Sequence, residues 1–320
     1  MVSNMTEREI LIQRVDNNEI KVINQCYTCQ LSSFDANIAK VSQYLTQAIL
    51  LEVSTHPKPG LVTRLSNGSH NDMSLFTFMM SSAVLGKAFG DLQDIGMIHK
   101  GSLQELLQKV RSYGVTAEAE LLRVTKGINT QRGILFAGGI LSSVAGYAMG
   151  HGLTRDELIP LVRQMTAGLV ERELHRLKHE AVTAGEKLYR ENGITGIRGE
   201  VEHGFPSVMK YGLPALKQAL DAGATLNNAL VHSLLSLMTV VEDSNVIWRT
   251  DLATLFEVQG IAANILAVGS VFTEAGRKAI AQAEEYFVAR RISPGGSADL
   301  LSITIALYLL ENKEFPCDIF

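Results

Sequence analysis

From about residue 35 onward, apolar residues recur at three- and four-residue steps. In Asp35 to Val53 they fall at Ile38, Val41, Leu45, Ala48 and Ile49, the spacing that gathers side chains on one face of a helix. The same periodicity predicts helices over Met73 to Gly90, Leu103 to Thr125, Ile134 to Met149 and Thr154 to Glu191. Further helices are expected over Ser207 to Leu220, Leu226 to Val241, Leu252 to Val268, Glu274 to Val288 and Ala298 to Glu311. Thr154 and Glu157 make a T-x-x-E capping box, a start signal for the longest of these. Alternating strand-like pattern is scarce, and Glu19 to Val22 is the one fair candidate. The pattern predicts an all-α, multi-helical single domain over residues 36–320 behind an N-terminal extension, 1–35.

The glycines and prolines fall between these runs, in THPKPGLV, KGINTQRG, NGITGIRGEVEHGFP and RISPGGSADL. Loops on a rigid helical scaffold are where binding groups usually sit, so these glycine-rich connections are expected to form the active site. With 46% hydrophobic and 19% charged residues, the chain can bury a large core. A net charge of −4 argues against a general nucleic-acid-binding surface, so any polyphosphate must be held by local positive charge. The N-terminus has no apolar signal segment, and stretches such as Leu234 to Val241 are far short of the roughly 20 residues a membrane span needs. Cys26 and Cys29 form one C-x-x-C, but the second ligand pair of a zinc site is missing. A cytoplasmic protein with no membrane contact is expected, and a homo-oligomer stays open.

Candidate chemistry concentrates in the loops. Pro57 and Pro59 restrict the backbone around Lys58, with Gly60 following, so a cation there is suited to phosphate; the plain alternative is a helix stop with a solvated lysine. Asp72 stands where a helix cap would, beside His70. Asn129, Thr130 and Arg132 precede a helix N-terminus, a natural place for an anion. Glu186, Glu200 and Glu202, with Arg198 among glycines, have the composition of a site for metal-bound polyphosphate. His175 and His179 have a zinc-like spacing but sit among basic residues, as on a solvated face. Asp243, after Glu242 and beyond an apolar helix, calls for a cation or basic partner. Gly295, Gly296 and Ser297 open the last helix with free amides, and Asp299 either caps it or meets a metal.

Taken in order, these segments resemble one family. The blocks are Glu52-Val-Ser-Thr-His-Pro-Lys-Pro-Gly-Leu-Val62, Asp72-Met73, Gly127-Ile-Asn-Thr130, Thr183-Ala-Gly-Glu186, Gly196-Ile-Arg-Gly-Glu200, Gly204-Phe-Pro206, Glu242-Asp-Ser-Asn245 and Ser293 to Leu301. They are similar to the signature blocks of triphosphoribosyl-dephospho-coenzyme A synthases, over about residues 40 to 311. One departure is Gln131, where the family commonly has histidine, so that position supplies no proton shuttle here. The resemblance implies that the 5-triphosphoribosyl group of ATP moves to the ribose 2′-hydroxyl of 3′-dephospho-CoA, releasing adenine. The product is the prosthetic-group precursor of citrate lyase, or of malonate decarboxylase, which needs the same step. On that basis Lys58, Gly60, Asn129, Thr130, Arg132, Arg198, Gly295, Gly296 and Ser297 are expected to hold the nucleotide. Glu186, Glu200 and Asp243 are expected to carry the chemistry, and Glu186, Glu200, Asp243 and Asp299 to bind Mg²⁺. Glu52 and Asp72 are secondary candidates. A helical phosphotransferase that cleaves ATP between its phosphates is the rival enzyme.

Overall fold

The computed structural model describes residues 12–15, 19–22, 37–175 and 183–316. Contacts divide the chain into two units, Met1–Phe34 and Asp35–Phe320. In the first, β1 (Ile12–Val15) pairs antiparallel with β2 (Glu19–Val22), Ile12 opposite Val22. The strand read at Glu19 to Val22 is therefore present, with a partner the pattern did not reveal. Cys26, Cys29 and His179 lie outside the described residues.

In the second unit, thirteen α-helices are found among the described residues. They are α1 (Val41–Ser54), α2 (Leu75–Ile98), α3 (Leu103–Val124), α4 (Arg132–His151), α5 (Leu158–Thr166), α6 (Ala184–Asn192) and α7 (Gly196–Glu202). They continue as α8 (Leu213–Asp221), α9 (Leu226–Met238), α10 (Ser244–Arg249), α11 (Leu252–Ala267), α12 (Glu274–Arg290) and α13 (Gly295–Asn312).

The two central helices are α4 and α13, apolar on nearly every side and buried accordingly. By length and composition α4 could cross a membrane, but 72% of it is covered by protein, as in the core helix of a bundle. It lies against α2 at backbone contact distance. A Cβ on Gly96 would stand 1.9 Å from the Ser143 carbonyl oxygen, and one on Gly146 would stand 1.8 Å from that of Gln93. Only residues without a side chain let two helices approach so closely, and any larger residue there must push them apart. The Ser142 hydroxyl adds a bond across the seam to the Phe89 carbonyl, 2.7 Å away. On the other side α13 packs against α1 and α9. The N-termini of α4 and α13 consequently end near each other, and both open from glycine loops.

The expected helix from Thr154 to Glu191 is not one helix. The Thr154–Glu157 capping box forms, with the Thr154 amide 2.8 Å from the Glu157 carboxylate, but the helix behind it stops at Thr166. Gly168 then takes φ +71°, a turn, and Glu202 accepts the amides of Gly168 at 2.6 Å and Val170 at 2.8 Å. Apolar spacing carries across such a turn because the short helices on both sides bury faces against the same core. Two short helices, α7 and α10, lie where loops were expected, while α6 falls within the run expected to be one long helix.

Candidate active site

The glycine loops meet around two adjoining cavities. The larger, about 480 Å³, is walled by the N-termini of α4, α6, α7, α10 and α13, with Arg111 and Glu118 of α3. The smaller, about 100 Å³, lies between the Lys58 loop, His70, the start of α4 and the Ser293 loop. Asn129, Arg132, Gly133, Asn245 and Asp299 line both, so the two chambers share a wall.

Three arginines face the large chamber, each braced by a carboxylate. Arg132 is 2.6 Å from Glu118. Arg111 and Arg198 converge on Glu173, each placing its Nε 3.0 Å from a carboxylate oxygen. Arg111 also lies over the Phe136 ring, its Cζ 4.5 Å from the ring centre. Such bracing fixes the guanidinium planes before any ligand arrives, which reduces the ordering cost of binding an oxyanion. Glu200 projects into the same space from α7 and accepts the Ser207 amide, at 3.2 Å, and hydroxyl. Burial raises its pKa, and nearby Glu242 adds to this against the two Ser207 bonds.

The small chamber is more enclosed. Lys58 is only 1% exposed and its ammonium is paired with Glu52, itself buried. Burial lowers the pKa of Lys58 and raises that of Glu52 while their mutual attraction opposes both shifts. The expected solvated or phosphate-gripping lysine is thus an inward cation whose first partner is a carboxylate. His70 sits opposite, Nε2 2.8 Å from the Ser293 hydroxyl and Nδ1 3.3 Å from Arg249. Burial, then the charge of Arg249, holds His70 below the usual imidazole range. Thr130 lines this chamber, and its buried hydroxyl has no hydrogen-bond partner among the described residues. Gln131, where the resembled family carries histidine, is buried and accepts the Ser81 hydroxyl; here the position is part of the packing.

On the shared wall, Asp299 reaches from the first turn of α13 to the start of α4. A Cβ on Gly133 would stand 1.9 Å from its Oδ2, and the Ile134 amide donates to its carboxylate. Burial first, then the charges of Glu52 and Asp243, push its pKa well above the ordinary carboxylate range.

Several expected assignments change. Asp243 does not oppose a helix C-terminus but caps two N-termini. It accepts the amides of Asn245 at 3.1 Å and Val246 at 3.4 Å in α10, and of Gly296 at 3.1 Å and Ser297 at 2.8 Å in α13. The Ser297 hydroxyl adds a fifth bond at 3.0 Å. The Gly296 and Ser297 amides are therefore taken by a carboxylate and are not available to a phosphate. Glu186 closes a capping box with Thr183, bonded to its amide at 3.0 Å, and does not line either chamber. Gly60 is a turn residue at φ +74° whose amide donates to Glu284 at 2.8 Å, outside both chambers. Asp72 is not the helix cap; Ser74 is, in a box with Thr77. Among the described residues no three Asp, Glu, His or Cys side chains gather as metal ligands, and of the four carboxylates expected to bind Mg²⁺ Glu200 and Asp299 line the chambers. Lys58, Asn129, Thr130, Arg132, Arg198, Glu200, Gly295, Gly296 and Asp299 do line the joined cavities. Missed by sequence were Arg111, Glu118 and Glu173, Ser293 as a chamber wall, and Arg249. Arg111 and Glu118 share a periodic helix with no loop signal near them, and Glu173 follows the unforeseen Gly168 turn.

Residues 38–316 match the ATP:dephospho-CoA triphosphoribosyl transferase family. A relative from Malonomonas rubra, a probable 2-(5''-triphosphoribosyl)-3'-dephosphocoenzyme-A synthase, is 44% identical over 285 residues, covering 88% of this chain and 90% of its own. The 2-(5''-triphosphoribosyl)-3'-dephosphocoenzyme-A synthase of Pectobacterium atrosepticum is 40% identical over 275 residues, 85% of this chain and 89% of its own. Protein CitXG of Leuconostoc mesenteroides subsp. cremoris is 36% identical over 266 residues, 81% of this chain and 56% of its own. No solved structure matches the chain. With the match running through every loop that lines the two chambers, the chain belongs to the ATP:dephospho-CoA triphosphoribosyl transferase family.

Proposed function

We propose that the enzyme transfers the 5-triphosphoribosyl group of ATP to the ribose 2′-hydroxyl of 3′-dephospho-CoA and releases adenine, making the citrate lyase prosthetic-group precursor in the cytoplasm. The observation that carries the reading is the shared wall: a chamber with three braced arginines adjoins a second polar chamber, and carboxylates stand at and beside their junction. Two polyanionic substrates need local positive charge on a chain whose net charge is −4. Arg111, Arg132 and Arg198 supply it.

Cleaving the bond between adenine and ribose builds positive charge on the anomeric carbon, and a carboxylate nearby stabilises that charge. Asp299 on the shared wall takes this role, since an arriving cationic centre favours its ionised form over the neutral form that burial favours. Glu200 takes the proton from the attacking hydroxyl. Its raised pKa, closer to neutrality than an exposed glutamate's, suits a general base, and Ser207 fixes its orientation. Magnesium belongs to this reading as the companion of the triphosphate. Mg²⁺ is usually held by one or two carboxylates and by phosphate oxygens, and Asp299 is the carboxylate that faces both chambers. Its contribution is to neutralise phosphate charge.

The test is product analysis. Incubating the protein with ATP and 3′-dephospho-CoA is expected to yield free adenine and a heavier coenzyme derivative in equal amounts, separated by chromatography. Formation of ADP, AMP or phosphate without adenine overturns the proposal in favour of a phosphotransferase.

A further inference from the structure

The small chamber carries a set of donors that the reaction outlined above does not use. Nδ1 of His70 faces both Arg249, 3.3 Å away, and the Asp72 carboxylate, at the longer 3.8 Å; Arg249 has only donors, so the closer contact makes Nδ1 the acceptor. The ring proton then sits on Nε2 and is donated to the Ser293 hydroxyl oxygen, 2.8 Å away. Ser293 is 3% exposed, and its own proton remains to be given to something in the chamber it lines. Arg249 brings cationic N–H groups to the same space, Arg132 reaches it from the large chamber and Lys58 shares its ammonium with Glu52; among the described residues the carboxylates lining it are Glu52 and Asp299, with Asp72 3.8 Å from His70. Val62, Met73 and Phe78 make up part of the remaining wall, and a less polar surround strengthens each of these donors.

Size narrows the ligand. The chamber holds about 100 Å³. A cavity of about 150 Å³ is what a single benzene ring occupies in a protein interior. A purine is larger than benzene and a phosphoryl group is smaller, so the chamber suits the phosphoryl group better than adenine. A chamber entered through a wall shared with a larger one suits a group attached at one end only. That describes the last phosphate of ATP. It does not describe the diphosphate of the coenzyme, which carries a substituent on each side.

Resting on the proposed reaction, we infer that the small chamber is the subsite for the terminal phosphoryl group of ATP, read by Ser293, Arg249 and Lys58, with His70 as a positioning residue that turns the Ser293 hydroxyl into a donor. The inner phosphates then lie along Arg132 and Arg198 in the large chamber, with Arg132 reaching both. This subsite explains how a reaction that leaves all three phosphates untouched can still select a triphosphate. ADP offers the same ribose and the same leaving group, so discrimination must come from contact with the third phosphoryl.

The experiment is calorimetric binding of Mg·ATP, Mg·ADP and 3′-dephospho-CoA to wild-type protein, Ser293→Ala and Arg249→Gln, with melting curves of each variant. Arg249 is exposed on the short helix α10, so its replacement tests the subsite even where Ser293→Ala proves unstable. Wild type is expected to bind ATP at least tenfold more tightly than ADP. Each variant is expected to weaken ATP by about tenfold, the value of one charge-assisted hydrogen bond, and to shift ADP by less than twofold. His70→Asn is expected to weaken ATP by less than Ser293→Ala does, because it changes only which way the hydroxyl points. Equal affinity of wild type for ATP and ADP, or a parallel loss of both in the variants, overturns the inference. So does a loss confined to 3′-dephospho-CoA, which would give the chamber to the coenzyme diphosphate. Failure of wild type to release adenine, with the ATP–ADP difference intact, would instead sink the proposed reaction and leave the subsite standing.

Discussion

Replacing Asp243 tests how the two chambers are held together. Its carboxylate is the only tie described between the first amides of α10 and those of α13, and both helices contribute walls to both chambers. Losing a cap costs roughly 1 kcal/mol for each helix. The Ser297 hydroxyl, buried and left without an acceptor, adds on the order of 1–2 kcal/mol. Removing a carboxylate whose burial opposes ionisation returns part of this, so Asp243→Ala is expected to lose about 3 kcal/mol net. For a domain of this size that corresponds to a fall in Tm of roughly 6–12 °C. Asp243→Asn keeps one acceptor oxygen and should fall between the two. The assay is thermal unfolding at pH 7 beside adenine release at a temperature where all three proteins are folded. Under those conditions both variants should lose activity, because Asn245, Gly296 and Asp299 move relative to one another. An Asp243→Ala protein that melts within 2 °C of wild type would refute the double-cap reasoning, and an inactive one with that stability would return Asp243 to the chemistry.

Three further outcomes are expected. Gly133→Ala should leave the fold intact but cut turnover at least tenfold, since the new methyl occupies the space of the Asp299 carboxylate; activity within twofold of wild type would mean Asp299 is free to move without consequence. Glu200→Gln should lower kcat by two orders of magnitude or more with the melting curve nearly unchanged, the size of a general-base contribution, and a normal kcat would leave Glu200 as the orienting partner of Ser207 only. Asp299 binds its proton more tightly in the folded than in the unfolded chain, so stability should fall as pH rises above about 4 towards its folded pKa. Asp299→Asn, which cannot ionise, should flatten that fall and be the more stable protein at neutral pH while losing activity; a variant that melts in parallel with wild type at every pH would contradict the assignment.

Much of the fold could be read from the sequence because long helices bury continuous faces. α2, α3, α4, α9, α11, α12 and α13 all lie within a few residues of their periodic runs, apart from α2, which extends past Gly90 to Ile98. The run from Thr154 to Glu191 misled because apolar spacing records which residues face the core and not whether the chain turns at Gly168 between them. Short helices such as α7, of seven residues, and α10, of six, carry little periodic signal. The joined cavities were legible as a set of glycine loops, but the partners were not. That Asp243 takes the amides of Gly296 and Ser297 follows from two helix starts meeting across 53 and 54 residues, a juxtaposition that neither segment encodes alone. The bracing of Arg111 and Arg198 by Glu173 is hidden for the same reason.

Ribosyl transfer is distinguished from phosphoryl transfer by where the phosphates of ATP go. Supplying ATP labelled in its terminal phosphate together with 3′-dephospho-CoA should place the label on the coenzyme product, in step with the appearance of unlabelled adenine. Label found instead in free phosphate, pyrophosphate or ADP would show cleavage among the phosphates and contradict ribosyl transfer at the joined chambers.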